Sequence, residues 1–582
     1  MRKNTKTLEK LLSTTRIVGN GYALLWTGMW LVMMAIALYL RPLLPVDETR
    51  YLAVAWEMWR NGNFLVPHLN GETYSHKPPL LFWLMHLGWS AFGVNDWWPR
   101  VVAPLFGLIN LYLTGLLAQY LWPNRSNVAK AAPIFLVGSL FWTLFTTLTM
   151  FDMLLTFCAL LAMIGIIRAW ENDQPGSLVL LALAIGIGLL TKGPAVLLTT
   201  LPVSLFVPFW TFSPKIRNSE IKIDGGDIKF STQSGTWSRG WKRWYFGVGL
   251  AFLGGVVIAL LWAIPAAASG GEAYSNAIFW GQSAGRMVNS FAHARPWWWF
   301  IAVLPALILP WTIWPASWRA LGRLRDFYED KGIRFCLVWF LPALITFSII
   351  SGKQLHYLLP IFPALALIGS RLIIDYQERQ INQSSWKQFG LQIPAVLFLI
   401  LGVLLYLAPS IAKTLGLHPI IQEIELIWGM ILALFAGGLI LGGHKIKSFM
   451  NRIACLASLS VTLILVIHLS LKPVLNERYD LDAFSKKIRQ WQDTGISLAY
   501  LGKYHGMFNF MGRLDSQITP VGLMHPDLEN WQKANPKGYL IVPVGRKHEQ
   551  VTPIYIQPFR GRRFIVITVA QSLAHPEIIG KP

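Results

Sequence analysis

The chain has 582 residues, of which 54% are hydrophobic and 14% are charged, and its mean hydropathy is +0.45. Soluble domains carry about 25% charged residues, so this composition excludes an ordinary soluble protein and indicates one that crosses a membrane many times. The net charge of +22 does not indicate nucleic-acid binding, because the basic residues lie mostly in short loops between apolar runs and no zinc-finger, RNA-recognition or helix-turn-helix pattern accompanies them.

Apolar runs long enough to cross about 30 Å of hydrocarbon recur between residues 21 and 471. The basic segment before the first run, and the length of that run, predict a retained first span and not a cleaved signal. The fifth and sixth runs are short and could form one bent unit, whereas the run at 78–93 predicts an interfacial helix. In all, the runs predict about thirteen transmembrane helices, at 21–40, 100–121, 131–150, 152–169, 177–190, 193–212, 245–265, 297–315, 334–350, 355–373, 391–411, 427–443 and 453–472.

The basic loops determine the predicted orientation. Cytoplasmic loops of membrane proteins carry an excess of Lys and Arg, so the basic N-terminal segment predicts a cytoplasmic N-terminus. Alternation then places every strongly basic short loop inside and the C-terminal region outside. These predicted cytoplasmic loops lie at 123–130, 213–244, 319–334, 371–380 and 442–452.

Unusual polar residues gather on the opposite, outer side. A polar group at the end of a span is ordinarily an interfacial anchor, but two acids and several cations converging on one face favour a functional site. We therefore expect an outward-facing site built around the long first loop at 41–99, which is predicted to contain interfacial helices. The candidate residues are Asp47, Glu48, Arg50, His76, Lys77, Asp152, Lys192, Arg286, His293, Lys353 and Tyr357.

The chemistry of these residues suits group transfer from a phosphate. A carboxylate such as Asp47 can act as a general base toward an acceptor hydroxyl or amine, and a second such as Asp152 can orient the acceptor or hold a metal. Cations stabilise an anionic leaving group whose charge grows as its bond breaks, and a phosphate with an apolar tail at the interface is a polyprenyl phosphate. The candidate cations are Lys77, Lys192, Arg286 and Lys353. GxGxxG, Walker A and His-Glu-x-x-His motifs do not occur, which disfavours nucleotide, dinucleotide and zinc-protease chemistry.

Several blocks, in order along the chain, carry a family resemblance. The chain resembles bacterial members of the protein O-mannosyltransferase superfamily, which are glycosyltransferases of the GT-C fold, and is most similar to the branch that transfers aminoarabinose to lipid A. The blocks are "PVDETRYLAVAWEMWRNGNFLVPHLNGETYSHKPPLLFWL", "FDMLLTF", "LTKGPAVLL", "QSAGRMVNSFAHARPWWWF" and "SGKQLHYLLPIFPALALI". The resemblance implies a protein of the bacterial inner membrane.

The resemblance also implies roles for single residues. Asp47 matches the family's catalytic acid, and Arg50 and Asp152 match its supporting residues. The implied reaction is an inverting single displacement, in which polyprenyl phosphate leaves as the sugar passes to lipid A or another envelope acceptor. The positions that match or lie beside the family's phosphate site are Lys77, Arg286, Tyr357, Lys192 and Lys353. Glu48, His76 and His293 are predicted as neighbours of the site.

Two departures from the aminoarabinose branch concern metal binding. That branch usually has Glu where this chain has His76, and His where it has Gly281 and Gln282. Because those two family residues can hold a metal, no metal site is carried over, and no cofactor is predicted to be required. A divalent metal bound by His76 and His293 remains an alternative, but no sequence motif supports it. The difference from the aminoarabinose branch at these positions also weakens the prediction that the sugar is aminoarabinose.

From about residue 473 to residue 582 the pattern changes to that of a small soluble α/β domain. "LDAFSKKIRQWQ" has helical periodicity, and "ISLAYLG", "GYLIVPV" and "RFIVITVA" are short β-rich runs between polar turns. The domain is basic, and no catalysis is assigned to it. The sequence thus predicts two domains, a transmembrane one at 1–472 and a periplasmic one at 473–582.

Two other classes of function, transport and scaffolding, fit the sequence less well. A transporter or flippase would show repeats and ionisable groups near the membrane midplane, whereas here the charges lie at span ends on one face. A scaffolding protein would need no clustered acids and cations. Within the enzyme class, the alternative is transfer of a mannose-type sugar from its polyprenyl phosphate to a protein or an envelope glycan.

Overall fold

The computed structural model describes residues 21–172, 175–211, 223–224, 227–228, 240–280, 294–380, 390–416, 419–522, 526–545 and 551–579. Two predicted site residues, Arg286 and His293, lie outside these ranges, as does most of the basic loop at 213–244.

The first part of the chain forms a helical bundle. Its helices are α1 (Gly21–Leu40), α2 (Asp47–Asn61), α3 (Leu80–Phe92), α4 (Trp97–Leu121), α5 (Ser126–Gly138), α6 (Leu140–Phe145), α7 (Phe151–Asn172), α8 (Pro175–Lys192), α9 (Ala195–Leu205), α10 (Val207–Thr211), α11 (Trp241–Asn276), α12 (Trp299–Leu307), α13 (Pro315–Leu321), α14 (Lys331–Ile349), α15 (Phe362–Gln380), α16 (Gln392–Thr414), α17 (Leu426–Gly442) and α18 (Phe449–Ser470). Short 3-10 helices lie at Trp311–Ile313, Leu324–Phe327, Leu355–Ile361, Pro419–Glu423 and Gly443–Lys445.

Nine helices of the described ranges are long and apolar enough to cross a membrane, and the chain is a multi-pass membrane protein. The predicted count of thirteen is not confirmed, because the other predicted spans fall on shorter or interrupted helices. The run at 131–150 divides into α5 and α6, and the run at 297–315 contains α12 and a 3-10 turn. The short fifth and sixth runs correspond to α8 and to α9 with α10.

Close packing of α7 against α8 places the first turn of α7 beside the last turn of α8. Gly165 of α7 faces α8, and a Cβ added there would lie 3.0 Å from the carbonyl oxygen of Ser177 and 3.2 Å from the backbone nitrogen of Leu181. Small residues at such points let two backbones approach closely. Because α7 and α8 run antiparallel, Asp152 near the start of α7 lies beside Lys192 at the end of α8.

The first loop folds into α2, a two-stranded hairpin and α3. The hairpin pairs β1 (His68–Leu69) with β2 (Glu72–Thr73), and a second small hairpin pairs β3 (Ile223–Asp224) with β4 (Asp227–Ile228). The predicted short helix at 78–93 is confirmed as α3. Both α2 and α3 contribute to one buried apolar cluster that also includes Phe151 from the start of α7. The loop is therefore a packed unit seated on the bundle.

The C-terminal region contains a five-stranded mixed sheet in the order β6-β5-β7-β9-β8. The strands β6, β5 and β7 are parallel, whereas β9 is antiparallel to both β7 and β8. The three predicted strands and the predicted helix are confirmed; the pattern missed β6 and β8. The elements are α19 (Lys472–Tyr479), α20 (Asp482–Asp493), β5 (Leu498–Leu501), β6 (Thr519–Val521), α21 (Pro526–Ala534), β7 (Tyr539–Val544), β8 (Tyr555–Phe559), β9 (Arg562–Thr568), α22 (Val569–Ala574) and a 3-10 turn at Pro576–Ile578.

Candidate active site

Asp47 is the first residue of α2, and its side chain is 49% exposed. A carboxylate in the first turn of a helix is stabilised by the unpaired backbone N–H groups there. Arg50, one turn further along, donates to Oδ1 of Asp47 and fixes the direction of the carboxylate. The predicted catalytic acid and its supporting arginine therefore form a pair that solvent and an incoming substrate can reach.

Glu48, next to Asp47, points the other way and is buried. Its Oε1 accepts from Nη2 of Arg41 at 3.0 Å and from the backbone N–H of Thr149 at 2.9 Å. Its Oε2 accepts from Nη1 of Arg41 and from the backbone N–H of Leu44 at 2.9 Å. Burial alone would raise the pKa of Glu48, but Arg41 and these hydrogen bonds lower it to about 2. The ionised side chain thus ties the start of α2 to the chain just before α7.

A second ion pair is buried between α7 and α8. Lys192 Nζ donates to Oδ1 of Asp152 at 2.6 Å, with side-chain exposures of 12% and 2%. The ammonium group also lies 4.8 Å from the ring centroid of Tyr357, in the 3-10 helix before α15. Three predicted site residues from separate helices therefore meet at one point.

Lys77 extends the positive charge of this cluster. Its Nζ lies 5.5 Å from the ring centroid of Phe151, the residue before Asp152, and it interacts electrostatically with the Asp152 carboxylate. His76 is exposed, and its ring centroid lies 5.3 Å from that of Tyr74. The predicted phosphate-binding lysine thus interacts with the buried pair, and its histidine neighbour contacts the ring of Tyr74.

The hydrogen bonds of Lys353 are made to the backbone. It is buried, and its Nζ donates to the carbonyl oxygens of Arg295 at 2.9 Å and Ile350 at 2.6 Å. An ammonium group has three protons, so two of its three donors are used by the backbone. The residue fastens the segment before α12 to the end of α14. Its predicted role in binding phosphate stays a prediction.

Comparisons with known proteins give one family match and several curated relatives. The family model described as dolichyl-phosphate-mannose-protein mannosyltransferase matches residues 76–223. An undecaprenyl phosphate-alpha-4-amino-4-deoxy-L-arabinose arabinosyl transferase of Erwinia tasmaniensis is 29% identical over 353 residues, which are 60% of this chain and 58% of that protein. A Pseudomonas fluorescens protein of the same description is 28% identical over 370 residues, or 61% and 59%. The chain thus spans less than two thirds of the length of these curated relatives.

The structural match covers nearly the whole chain. The crystal structure of ArnT from Cupriavidus metallidurans bound to undecaprenyl phosphate superimposes with a TM-score of 0.70 at 18% identity, covering 97% of this chain and 100% of that one. The chain has the ArnT fold. The apo form of the same protein gives a TM-score of 0.67 and covers 97% and 99%. The structural matches confirm the predicted GT-C fold, and the curated relatives confirm the resemblance to aminoarabinose transferases.

The sequence did not predict His356 as a residue of the candidate site. Its ring centroid lies 4.9 Å from that of Tyr357, and it interacts electrostatically with Asp152, Lys77 and Asp47. The only sequence signal was its place directly before Tyr357 in the block "SGKQLHY". The histidine thus interacts electrostatically with both the exposed carboxylate and the buried ion pair.

Across the residues that the structure describes, no group of three or more His, Cys, Asp or Glu side chains is arranged to hold a metal ion. His76 is exposed on the first loop, and His293, its suggested partner, is outside the described residues. That no metal is needed stays a prediction.

The buried pair gives the first testable prediction. Replacing Lys192 with Met leaves the buried Asp152 carboxylate without its charged donor, so we expect a loss of about 3–5 kcal/mol of stability. Thermal unfolding of the purified protein in detergent measures it. Lys192→Arg, which keeps the charge, is the control and should lose less. Equal thermal midpoints for Lys192→Met and the wild type would mean that the ion pair between Lys192 and Asp152 does not stabilise the fold.

Proposed function

We propose that this protein is a glycosyltransferase that moves a sugar, 4-amino-4-deoxy-L-arabinose, from undecaprenyl phosphate to lipid A. The reaction takes place on the periplasmic face of the bacterial inner membrane, where the C-terminal domain also lies. One observation carries the proposal: the exposed Asp47 carboxylate and the half-buried ammonium groups of Lys192 and Lys77 all interact electrostatically with the same side chain, His356. The names of the relatives support the sugar and the lipid carrier.

The geometry supports a single displacement. An acceptor oxygen attacks the anomeric carbon as the bond from that carbon to the phosphate oxygen breaks, and the bonding electrons leave with the phosphate. Asp47 orients the acceptor and takes its proton, while Arg50 holds the carboxylate. Lys77 and Lys192 stabilise the negative charge that grows on the phosphate. Attack opposite the leaving group inverts the configuration of the anomeric carbon.

Lys77 carries the second prediction, which concerns the donor alone. Replacing Lys77 with Ala removes a charged phosphate partner, so the affinity for undecaprenyl phosphate should fall about ten- to a hundred-fold. Binding of undecaprenyl phosphate to the purified protein measures this without any transfer reaction. Lys77→Arg retains the charge and should retain most of the affinity. An unchanged dissociation constant in Lys77→Ala would mean that the phosphate binds elsewhere.

The proposed reaction is tested by mass spectrometry of lipid A. The protein is expressed in cells that lack their own aminoarabinose transferase but still make the lipid-linked donor. A mass increment of one aminoarabinose on lipid A, absent with the empty vector, supports the proposal. No increment, with the protein present in the membrane and the donor confirmed, overturns it for this sugar and acceptor.

A second candidate is transfer of a mannose-type sugar to a protein or an envelope glycan. The family match over residues 76–223, which has a mannosyltransferase description, favours it. The same cells distinguish the two, because glycosylated envelope proteins and glycans would gain the mass increment while lipid A would not.

A further inference from the structure

The segment of the C-terminal domain between β5 and β6, residues 502–518, lies directly on the first loop. Trp56 and Arg60 of α2 both donate to the carbonyl oxygen of Leu514 in this segment, at 3.2 and 2.8 Å. Asn70, in the turn of the first hairpin, exchanges two hydrogen bonds with the backbone of the last residue of the segment, at 2.8 and 3.0 Å. The segment, called here the β5–β6 segment, is thus hydrogen-bonded both to α2 and to the hairpin that follows it.

Two side chains of the β5–β6 segment also join α2 to α3. Phe510 is buried in the apolar cluster of the first loop, and its ring stacks on that of Trp89 in α3, with centroids 5.6 Å apart and an interplanar angle of 5°. The guanidinium carbon of Arg513 lies 3.8 Å from the ring centroid of Phe510 and 5.4 Å from that of Trp56 in α2. Arg513 also donates from Nη1 to the carbonyl oxygen of Phe510 at 2.5 Å. Because a planar guanidinium stacks well on aromatic faces, these four side chains form a continuous connection from α3 to α2.

The two helices joined in this way carry the two sides of the candidate site. Asp47 is the first residue of α2, and Lys77 lies three residues before α3 begins. In the proposed reaction the carboxylate activates the acceptor while the lysine stabilises the leaving phosphate. A misplacement of about 1 Å between reacting groups can lower a rate about a hundred-fold, even when its cause lies far from the chemistry. The position of α2 relative to α3 therefore matters for the transfer step.

We infer that the C-terminal domain completes the site, and that Phe510 and Arg513 are positioning residues that hold Asp47 at the distance from the donor phosphate that transfer requires. This inference rests on the proposed function and adds to it the role of the domain. The helices α2 and α3 also contact each other directly, for example through the rings of Trp59 and Trp89, whose centroids are 6.0 Å apart. Loss of the Arg513 contacts should therefore change the placement of α2 without unfolding the first loop.

Replacing Arg513 with Met in the full-length protein tests the inference. Methionine keeps an unbranched apolar side chain but removes the planar cation, so kcat for sugar transfer to lipid A should fall about ten- to a hundred-fold. The dissociation constant for undecaprenyl phosphate should stay within about twofold, because Lys77 and Lys192 are unchanged. The matched control is Arg560→Met, which should keep nearly the wild-type kcat. Arg560 has a φ of +49°, against +50° for Arg513, and its guanidinium also lies over two rings, at 5.3 and 5.8 Å, but both rings belong to the C-terminal domain.

A second comparison separates positioning from stability. If Arg513 acts through Asp47, then Arg513→Met should slow the wild type but should not further slow the residual transfer by Asp47→Asn, measured in single turnovers with the enzyme in excess. A residue that only stabilises the fold would lower the rate by the same factor in both backgrounds. If Arg513→Met does not fold, Arg513→Lys, which keeps the charge and loses the plane, allows the same comparison.

The outcomes distinguish this inference from the proposed function. A wild-type kcat in Arg513→Met, or an equal loss of kcat in Arg560→Met, overturns the inference. An equal further loss in the Asp47→Asn background also overturns it, and in each of these cases the proposed function stands because the wild type still transfers the sugar. No transfer by the wild type, with the donor and lipid A confirmed, overturns the proposed function and the inference with it.

Discussion

Replacing Asp47 with Asn will lower the turnover rate of sugar transfer by about a hundred- to ten-thousand-fold while the protein stays folded. Asparagine has nearly the shape of aspartate but cannot take a proton from the acceptor. The side chain is 49% exposed and its visible partner is Arg50, so the fold loses only an exposed ion pair. Such pairs contribute about 0–1 kcal/mol. Catalysis should therefore be lost with little change in stability.

Rate measurements with purified protein, donor and lipid A test this expectation. The turnover rate should collapse in Asp47→Asn, whereas binding of undecaprenyl phosphate should stay near the wild-type value. The matched control is Asp96→Asn, because Asp96 is an exposed carboxylate just before α4, in the same loop at 41–99. Near-normal turnover in Asp47→Asn would exclude the carboxylate as the group that activates the acceptor.

Much of the bundle follows from the length of apolar runs. An apolar run of 20 residues such as α1 has few alternatives in a membrane, because every backbone polar group must be paired within the segment. The break between α5 and α6 could not be predicted in this way. Ser139 takes an extended conformation there, and the backbone N–H of Leu140 donates to the carbonyl oxygen of Leu309 at 2.9 Å. Because Leu309 is so distant in the sequence, the residues around Ser139 do not by themselves predict this break.

The sequence predicted which residues belong to the candidate site, but not which of them form pairs. Polar residues at the ends of apolar runs identified Asp152 and Lys192, but their ion pair depends on the close packing of α7 against α8. His356 was missed because its place beside Tyr357 gives no local sign of its interactions with Asp152 and Lys192. The placement of residues 502–518 on α2 depends on contacts across more than four hundred residues, which no local pattern contains.

The structural role of Glu48 could not be predicted from the sequence either. The sequence predicted Glu48 as a neighbour of the site, whereas in the structure its side chain holds the start of α2 in place. Replacing Glu48 with Ala leaves the buried Arg41 guanidinium without its counter-charge and leaves the backbone N–H groups of Leu44 and Thr149 unpaired. Breaking a buried ion pair in this way costs about 3–5 kcal/mol. We expect Glu48→Ala to lower the thermal midpoint strongly and to abolish transfer, since Asp47 begins the same helical turn.

The double variant Arg41→Met/Glu48→Met separates charge from hydrogen bonding. It removes the unpaired buried charge, so it should be more stable than Glu48→Ala, while the two unpaired N–H groups keep it less stable than the wild type. A double variant as unstable as Glu48→Ala would mean that the ion pair itself matters little.

The pH dependence of stability tests the charge of Glu48 independently. Its pKa falls from 4.5 to about 2 on folding, so the unfolded state binds the proton more tightly. The side chain therefore stabilises the fold at pH values above about 4.5, by about 3 kcal/mol, and this contribution is lost as the pH falls through about 2. Glu48→Gln is uncharged at every pH and lacks this contribution. The gap between the thermal midpoints of the wild type and Glu48→Gln should thus be constant near neutral pH and narrow from pH 4.5 toward pH 2. A gap that does not change with pH would mean that Glu48 acts through its shape and hydrogen bonds and not through its charge.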